Sequence, residues 1–285
     1  MFYKTKIVAV SLMAVCTWSA CKKADNSNIS KDKDDKENIQ LMAQSDQIAN
    51  DMDNAFDEGL HSIQAQPQLK TTGGGGQNLW GSGLLGPCTV VTLSSGGGVD
   101  TLTIDYGTQG CVCLDGKTRK GKLIATAAHF NALQVTRTLS TSNYSVNNFA
   151  VSGSITRTIT RVPDSSLREA DVTENLTITN PNAQLVYSRQ ATLTRIYYWG
   201  VLGNPSDNTL TSWGNVSITR KNNITVTRSV IAATPLVYKN SCHEIVSGIA
   251  NIVRPNVTYN INFGNGTCDG VATVSNGSNT WTINL

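Results

Sequence analysis

From Cys88 onward, apolar and polar residues alternate with a period of two almost without a break, through residues 121–130, 132–139, 144–150, 151–162, 170–179, 183–199, 212–220, 223–232 and 280–285. Side chains of a strand point alternately to its two faces, so each segment reads as a strand with one buried and one wet face. No part of residues 88–285 carries a helical period. The expected fold class is all-β, as an antiparallel sandwich or one long twisted sheet. Upstream the period changes. In residues 38–66, Leu41, Ile48, Met52, Ala55, Phe56, Leu60 and Ile63 recur at helical spacing, with Asp46, Asp51, Asp53, Asp57 and Glu58 between them and no Lys or Arg. This is one acidic amphipathic helix. Its lack of cations argues against a membrane surface, and docking on the β body is the expected use of its apolar side. Pro67 ends it, and residues 67–87, with four glycines from Gly73 to Gly76, form a flexible linker.

A second pattern lies inside the strands. Arg137 is in phase with Leu133, Val135 and Leu139, and Arg157 and Arg161 with Ile155 and Ile159. Arg195 follows Leu193, Tyr197 and Trp199, Arg220 follows Val216 and Ile218, and Arg228 follows Ile224, Val226 and Val230. These arginines therefore share a face with the core side chains. Two arrangements satisfy this. In one, the stems are buried at the rim of the sheet and the heads reach water. In the other, the face is a partly open groove with a guanidinium rim that takes an acidic glycan or an amphipathic ligand. The candidate ligand residues are Arg195, Arg220 and Arg228 with Tyr197, Trp199 and Trp213, the aromatic concentration flanking residues 200–208, because sugars stack on exposed rings. The opposite phase carries Thr156, Thr158, Thr160, Thr192, Thr194, Ser217, Thr219, Thr225 and Thr227, a solvated strand surface that in principle presents a flat array to a polysaccharide or to ice.

Two stretches repeat one plan: a cysteine, a hairpin, an acid or amide, an aromatic, a glycine turn, a closing cysteine. The first runs from Cys88 to Cys111 and the second from Cys242 to Cys268, each followed by an Asp-Gly turn, at Asp115 and Asp269. With the rear turn at Pro255, Cys242 and Cys268 face one another across the strands and are expected to bridge. In front, the turn near Gly97 sets Cys88 opposite about residue 106, so the loop from Gly107 to Gly110 must fold back for Cys88 to meet Cys111. Cys113 is then left over, and the alternative partner for Cys88 is Cys113 itself. Paired cysteines imply an oxidising compartment.

Composition adds compartment rather than activity. The formal charge is +3, and about +1 once Lys4 and Lys6 leave with a leader, which argues against a nucleic-acid partner. Residues 1–20 form a signal peptide: two lysines, a short apolar core too short to span a bilayer, then small residues before Cys21. Trp18-Ser19-Ala20-Cys21 resembles the lipobox of bacterial lipoproteins, which implies cleavage and lipidation of Cys21 with palmitate-type acyl chains, a stable membrane anchor. Residues 21–37, with the mixed run from Lys31 to Glu37, read as a charged tether. Lys22 stands where an inner-membrane retention signal has Asp, so the resemblance implies outer-membrane anchoring, on the periplasmic or the cell-surface face. The stretches Thr103-Ile104-Asp105-Tyr106-Gly107, Gly110-Cys111, Asp115 to Lys122, Tyr144 to Asn147, Gly153 and Phe263 to Asp269 resemble an uncharacterised Bacteroidetes-type surface lipoprotein family over most of residues 88–285. That family supports fold and localisation and brings no activity with it.

Catalytic chemistry finds little to stand on. His243-Glu244 begins like a zinc-protease helix but lacks the second histidine and sits in a strand pattern. In the β body, Glu169, Asp171 and Glu174 lie near one another and are the only suggestion of a glycosidase pair. Neither a metal nor a cofactor is expected. The expected role is a lipid-anchored, non-enzymatic binding or structural module of the cell envelope, its partner a glycan or a protein. The alternatives are a carrier of a lipid or other amphipath, needing an apolar trough beneath the arginines, and an envelope hydrolase, needing acids that converge.

Overall fold

The computed structural model describes residues 26–65, 83–130, 132–161, 167–180, 185–198, 207–242, 244–254 and 257–284. The signal segment, Cys21, Pro67, the glycines at 73–76, Trp199, His243 and Pro255 lie outside the described residues. Two compact units divide the chain, Met1–Glu37 and Asn38–Leu285. The one described helix, α1, spans Asn26–Ala65. It opens well ahead of residue 38, so the run expected to be tether is helical. Opposite charges stand four apart at Lys31 and Asp35, Asp32 and Lys36, and Lys33 and Glu37, a spacing that favours helix by about 0.2–0.5 kcal/mol per pair.

Among the described residues the body is built of strands: β1 Val90–Gly96, β2 Val99–Asp105, β3 Cys111–Val112, β4 Thr118–Ala127, β5 Gln134–Val146, β6 Phe149–Arg161, β7 Leu167–Asn180 and β8 Leu185–Tyr198. The series continues with β9 Thr209–Arg220, β10 Thr225–Val230, β11 Leu236–Lys239, β12 Glu244–Arg254, β13 Val257–Asn265, β14 Val271–Ser275 and β15 Thr280–Asn284. All fifteen belong to one antiparallel sheet in near-sequential order, with β3 beside β4 and β11 shared between β9 and β12. Of the two expected all-β arrangements, the long twisted sheet is the one formed. Hairpin connections explain the order, because antiparallel neighbours need only short turns.

One face of the sheet is buried and the other is not. Along β7 the burial alternates strictly, with Ala170, Val172, Glu174, Leu176 and Ile178 inside and Glu169, Asp171, Thr173, Asn175 and Thr177 outside. The inner face meets α1. Within residues 39–63 only Gln40, Ala43, Gln47 and Asn54 are exposed, a single narrow stripe, while Met42, Ala49, Met52, Ala55 and Phe56 are fully enclosed. Asp51 and Asp53 lie about 200° apart around a helix, yet both reach the sheet, Asp51 at β4 and β5 and Asp53 at β5, β6 and β8. The sheet therefore curls around the helix as a trough.

Curling requires bends inside strands. Gly153 in β6 has φ +119°, and a Cβ there would lie 2.1 Å from the Asn175 carbonyl oxygen; Gly214 in β9 has φ +125° and the Thr192 oxygen at 2.2 Å. Only glycine accepts that backbone and that approach, and such positions let a sheet coil instead of lying flat. Both expected disulfides form, Cys88–Cys111 and Cys242–Cys268. The short β3 answers how Cys111 returns: Cys111 pairs with Arg119 of β4, which carries it back towards Cys88. Cys113 is free and buried.

Gly153→Ala and Gly214→Ala are each expected to lower stability in urea denaturation by about 1–3 kcal/mol. An unchanged midpoint in both would show that these close approaches relax freely and do not hold the curl.

Candidate functional site

The trough wall carries arginines on β4, β5, β6, β8 and β10, and α1 carries the acids that meet them. Arg119 is 0% exposed and makes two paired contacts, with Asp51 through Nε and Nη2 at 3.0 and 2.6 Å and with Asp115 through Nη1 and Nη2 at 2.9 and 2.7 Å. Lys117 Nζ and the Tyr144 hydroxyl add to Asp51 at 2.8 and 3.3 Å. Asp53 gathers three arginines: Arg157 at 2.7 Å, Arg195 at 2.9 Å and Arg137 at 3.3 Å. Arg137 also meets Asp57 at 2.8 Å and lies 3.9 Å over the Phe56 ring. Arg189 bonds Glu174 through Nε at 2.6 Å and Asp46 and Ser45 through Nη1 at 2.8 Å, while Arg228 Nη1 closes on the other oxygen of Asp46. Glu58 accepts the backbone N–H groups of Leu84 and Leu85 at 3.0 and 3.4 Å.

All five acids of α1 singled out by sequence thus face the body. Burial alone raises a carboxylate pKa, but at Asp57 the charges of Arg137 and Arg157 outweigh it and bring the value down from 3.8 to about 2. At Asp46 burial is likewise overcome by Arg228 and Arg189, and the pKa is lowered. For Arg119 burial disfavours the charge, and Asp115 and Asp51 more than reverse this, raising its pKa. At Cys113 burial dominates and raises the thiol, which is therefore a poor nucleophile at neutral pH.

The expected ligand residues are distributed as follows. Arg195 is 4% exposed and bonded to Asp53 and Glu174. Its head is neither in water nor at an open rim. Arg228 sits on Asp46, and Arg220 is half-buried at the end of β9 opposite Tyr187. Tyr197 is half-buried under the Arg157 guanidinium at 4.8 Å, and Trp213 packs against the core opposite Thr194. The arginines do share one concave face, as their phase implied, and the occupant of that face is the chain's own acidic helix. Sequence reading passed over Arg119, hidden in the polar run from Lys117 to Lys122, and Arg189, which is in phase with Tyr187 and Ala191. The supposed glycosidase acids divide between faces: Glu174 points into the trough, Glu169 and Asp171 to the outside. Cys242, Glu244 and Cys268 lie together, but both sulfurs are held in the disulfide and offer no thiolate to a metal. A cleft of about 130 Å³ opens along the helix beside Gln44, Gln47, Asp51, Lys117, Asn147 and Phe149.

The outer face carries a different order. Register aligns Ser94, Thr101, Thr126, Thr138, Thr156, Thr173, Thr192, Asn215, Ser229, Asn251, Asn260, Ser275 and Thr280 in one row across the thirteen strands of the main path. None of these residues is buried and none is charged. Neighbours within this row and beside it bond to one another, Thr138 with Thr156 at 3.3 Å, Thr136 with Thr158 at 3.0 Å, Ser217 with Thr227 at 3.2 Å and Asn260 with Asn251 at 3.0 Å. No protein-family model, curated protein or solved structure matches the chain.

Two outcomes follow from the trough. Asp53→Asn leaves three guanidinium groups short of a charge and is expected to cost about 3–5 kcal/mol in denaturant unfolding; a change below 1 kcal/mol would mean the arginines re-pair. Asp57 has a folded pKa below its unfolded value, so its contribution is complete above about pH 4 and is lost as pH falls through 2. Stability of the wild type should drop across that window, and Asp57→Asn should remove on the order of 2 kcal/mol of the drop.

Proposed function

We propose that the chain is a lipid-anchored module of the cell envelope that works by binding, through the outer face of its sheet, a neutral hydroxyl-rich glycan. The carrying observation is the uncharged Ser/Thr/Asn row. Solvated protein surfaces normally intersperse charges, and depletion of charge over a continuous area is a property of contact surfaces. The chemistry of the row narrows the partner. It has no Trp, Tyr or Arg to anchor a protein interface, no cations to neutralise phosphates and no large apolar side chains to enter a lipid surface. What remains is repeated hydrogen-bond exchange, with donors and acceptors about 4.8 Å apart along the row and about 7 Å between rows, a spacing suited to an extended polysaccharide. Anchoring through Cys21 at an outer membrane would hold this face near envelope glycan.

A carrier of an amphipath is the second reading, favoured by the trough, whose wall matches an acidic amphipathic segment residue by residue. In that reading α1 stands in for the cargo.

The glycan reading is tested by affinity electrophoresis of the full chain through gels containing neutral polysaccharides, beside a Thr156→Lys, Thr192→Lys variant. Retardation of the wild type and free migration of the variant, with unchanged circular dichroism, is the expected result. No retardation by any neutral polysaccharide, or equal retardation of both proteins, sinks it.

A further inference from the structure

Most arginine donors along α1 meet a carboxylate; the unmet ones lie on Arg157 beside Asp53 and on the arginines around Asp46. Around Asp46 two guanidinium groups, Arg189 and Arg228, share a single carboxylate. The other acid within reach, Glu174, is divided between Arg189 and Arg195. Three buried polar atoms there have no partner: Tyr187 Oη, Arg189 Nη2 and Arg228 Nε. Tyr187 and Arg189 are 1% and 0% exposed, so water at the protein surface does not satisfy them. Both rise from the inner face of β8 two residues apart, and Tyr187 is within electrostatic reach of both Arg189 and Asp46. The corner is closed by Asp46 and Arg228, whose side chains keep 18% and 11% of their surface in solvent. The corner meets solvent at these two side chains.

An unmet buried donor carries the full cost of its lost hydration, about 1–3 kcal/mol and more for a charged group. Arg119 has carboxylate partners for Nε, Nη1 and Nη2 alike, whereas Arg189 is met at Nε and Nη1 and keeps Nη2 unbonded. At this corner the missing partner is an acceptor with negative charge, because two of the three donors belong to cations. We infer that the corner formed by Tyr187, Arg189 and Arg228 beside Asp46 is an anion site that takes a carboxylate or phosphate head. Guanidinium groups recognise both through parallel N–H donors, and a phenol adds a third directed bond. Asp46 fills part of the same demand from within the chain and keeps the unliganded corner from carrying two uncompensated charges. The site lies on the inner face and stands whether or not the outer face binds glycan.

The test is isothermal titration calorimetry of the full chain with four probes: inorganic phosphate, acetate, dodecyl phosphate and dodecanoate, the alkyl anions kept below micelle formation. Tyr187→Phe removes only the unpartnered hydroxyl and should fold as the wild type does. It is expected to weaken anion binding by roughly tenfold or more, and Arg228→Gln by at least as much. Binding of the alkyl anions far tighter than that of phosphate and acetate identifies a lipid head as the ligand; equal binding identifies a free small anion. Either result supports the site. Absence of heat with all four probes overturns it, as does binding that Tyr187→Phe and Arg228→Gln leave unchanged. A Tyr187→Phe protein that is more stable and indifferent to anions shows that an ordered water completes the corner, and overturns the proposal too.

Discussion

A guanidinium group taken out of water must be met by a carboxylate, and most of this molecule's architecture follows from meeting that condition along one helix. Arg119, Arg137, Arg157, Arg189, Arg195 and Arg228 stand on five strands of one sheet, and Asp46, Asp51, Asp53 and Asp57 of α1 supply their counter-charges, with Asp115 from the turn before β4 and Glu174 from β7. Such pairs add little net stability compared with an apolar core of the same shape. Their effect is on register. Sliding α1 by one residue would turn each acid by about 100° and leave several arginines buried without charge. A purely apolar stripe of Met42, Ala49, Met52 and Phe56 would tolerate such slips far better.

The two faces of the sheet divide the chemistry between them. The concave face holds the buried arginines, matched to one internal partner. The convex face holds almost none in its central rows, which are built from residues small enough to lie in register over thirteen strands. Charge stands beside that row at Asp171, and farther out at Glu169 and at Asp105 with Lys122. With the arginines turned inward, the central row of the outer face presents no cations to a phosphate backbone.

Much of the fold was legible because its signal is local. Period-two alternation marks the strands, the symmetric spacing about Pro255 pairs Cys242 with Cys268, and the in-phase arginines of β5, β6, β8 and β10 do share the core face. What was not legible depends on pairing across long separations. The contacts from α1 to the sheet join residues 66 to 182 positions apart, and nothing near Asp46 announces Arg228. The rim arrangement fails at Arg137, Arg157 and Arg195 for that reason, since counting phase alone leaves no partner for their heads. The outer row was visible only strand by strand, since register shifts between Ser140 and Tyr144 and between Ser247 and Ile249 reset the alignment in ways alternation cannot foresee. The early start of α1 was missed because a dense charge run can serve either a tether or a helix surface.

The order of the elements along the chain sets a problem of timing. α1 is made first, with its apolar stripe and its acids, whereas the wall that receives Asp46 is finished only when Arg228, 182 residues later, has emerged. Contacts so distant in sequence form slowly. During synthesis the helix must therefore wait uncovered while the sheet grows hairpin by hairpin behind it. Its acids keep that waiting segment soluble and, by repelling one another, discourage premature collapse. The same residues that lock the finished trough thus act beforehand as the chain's own guard against misassembly.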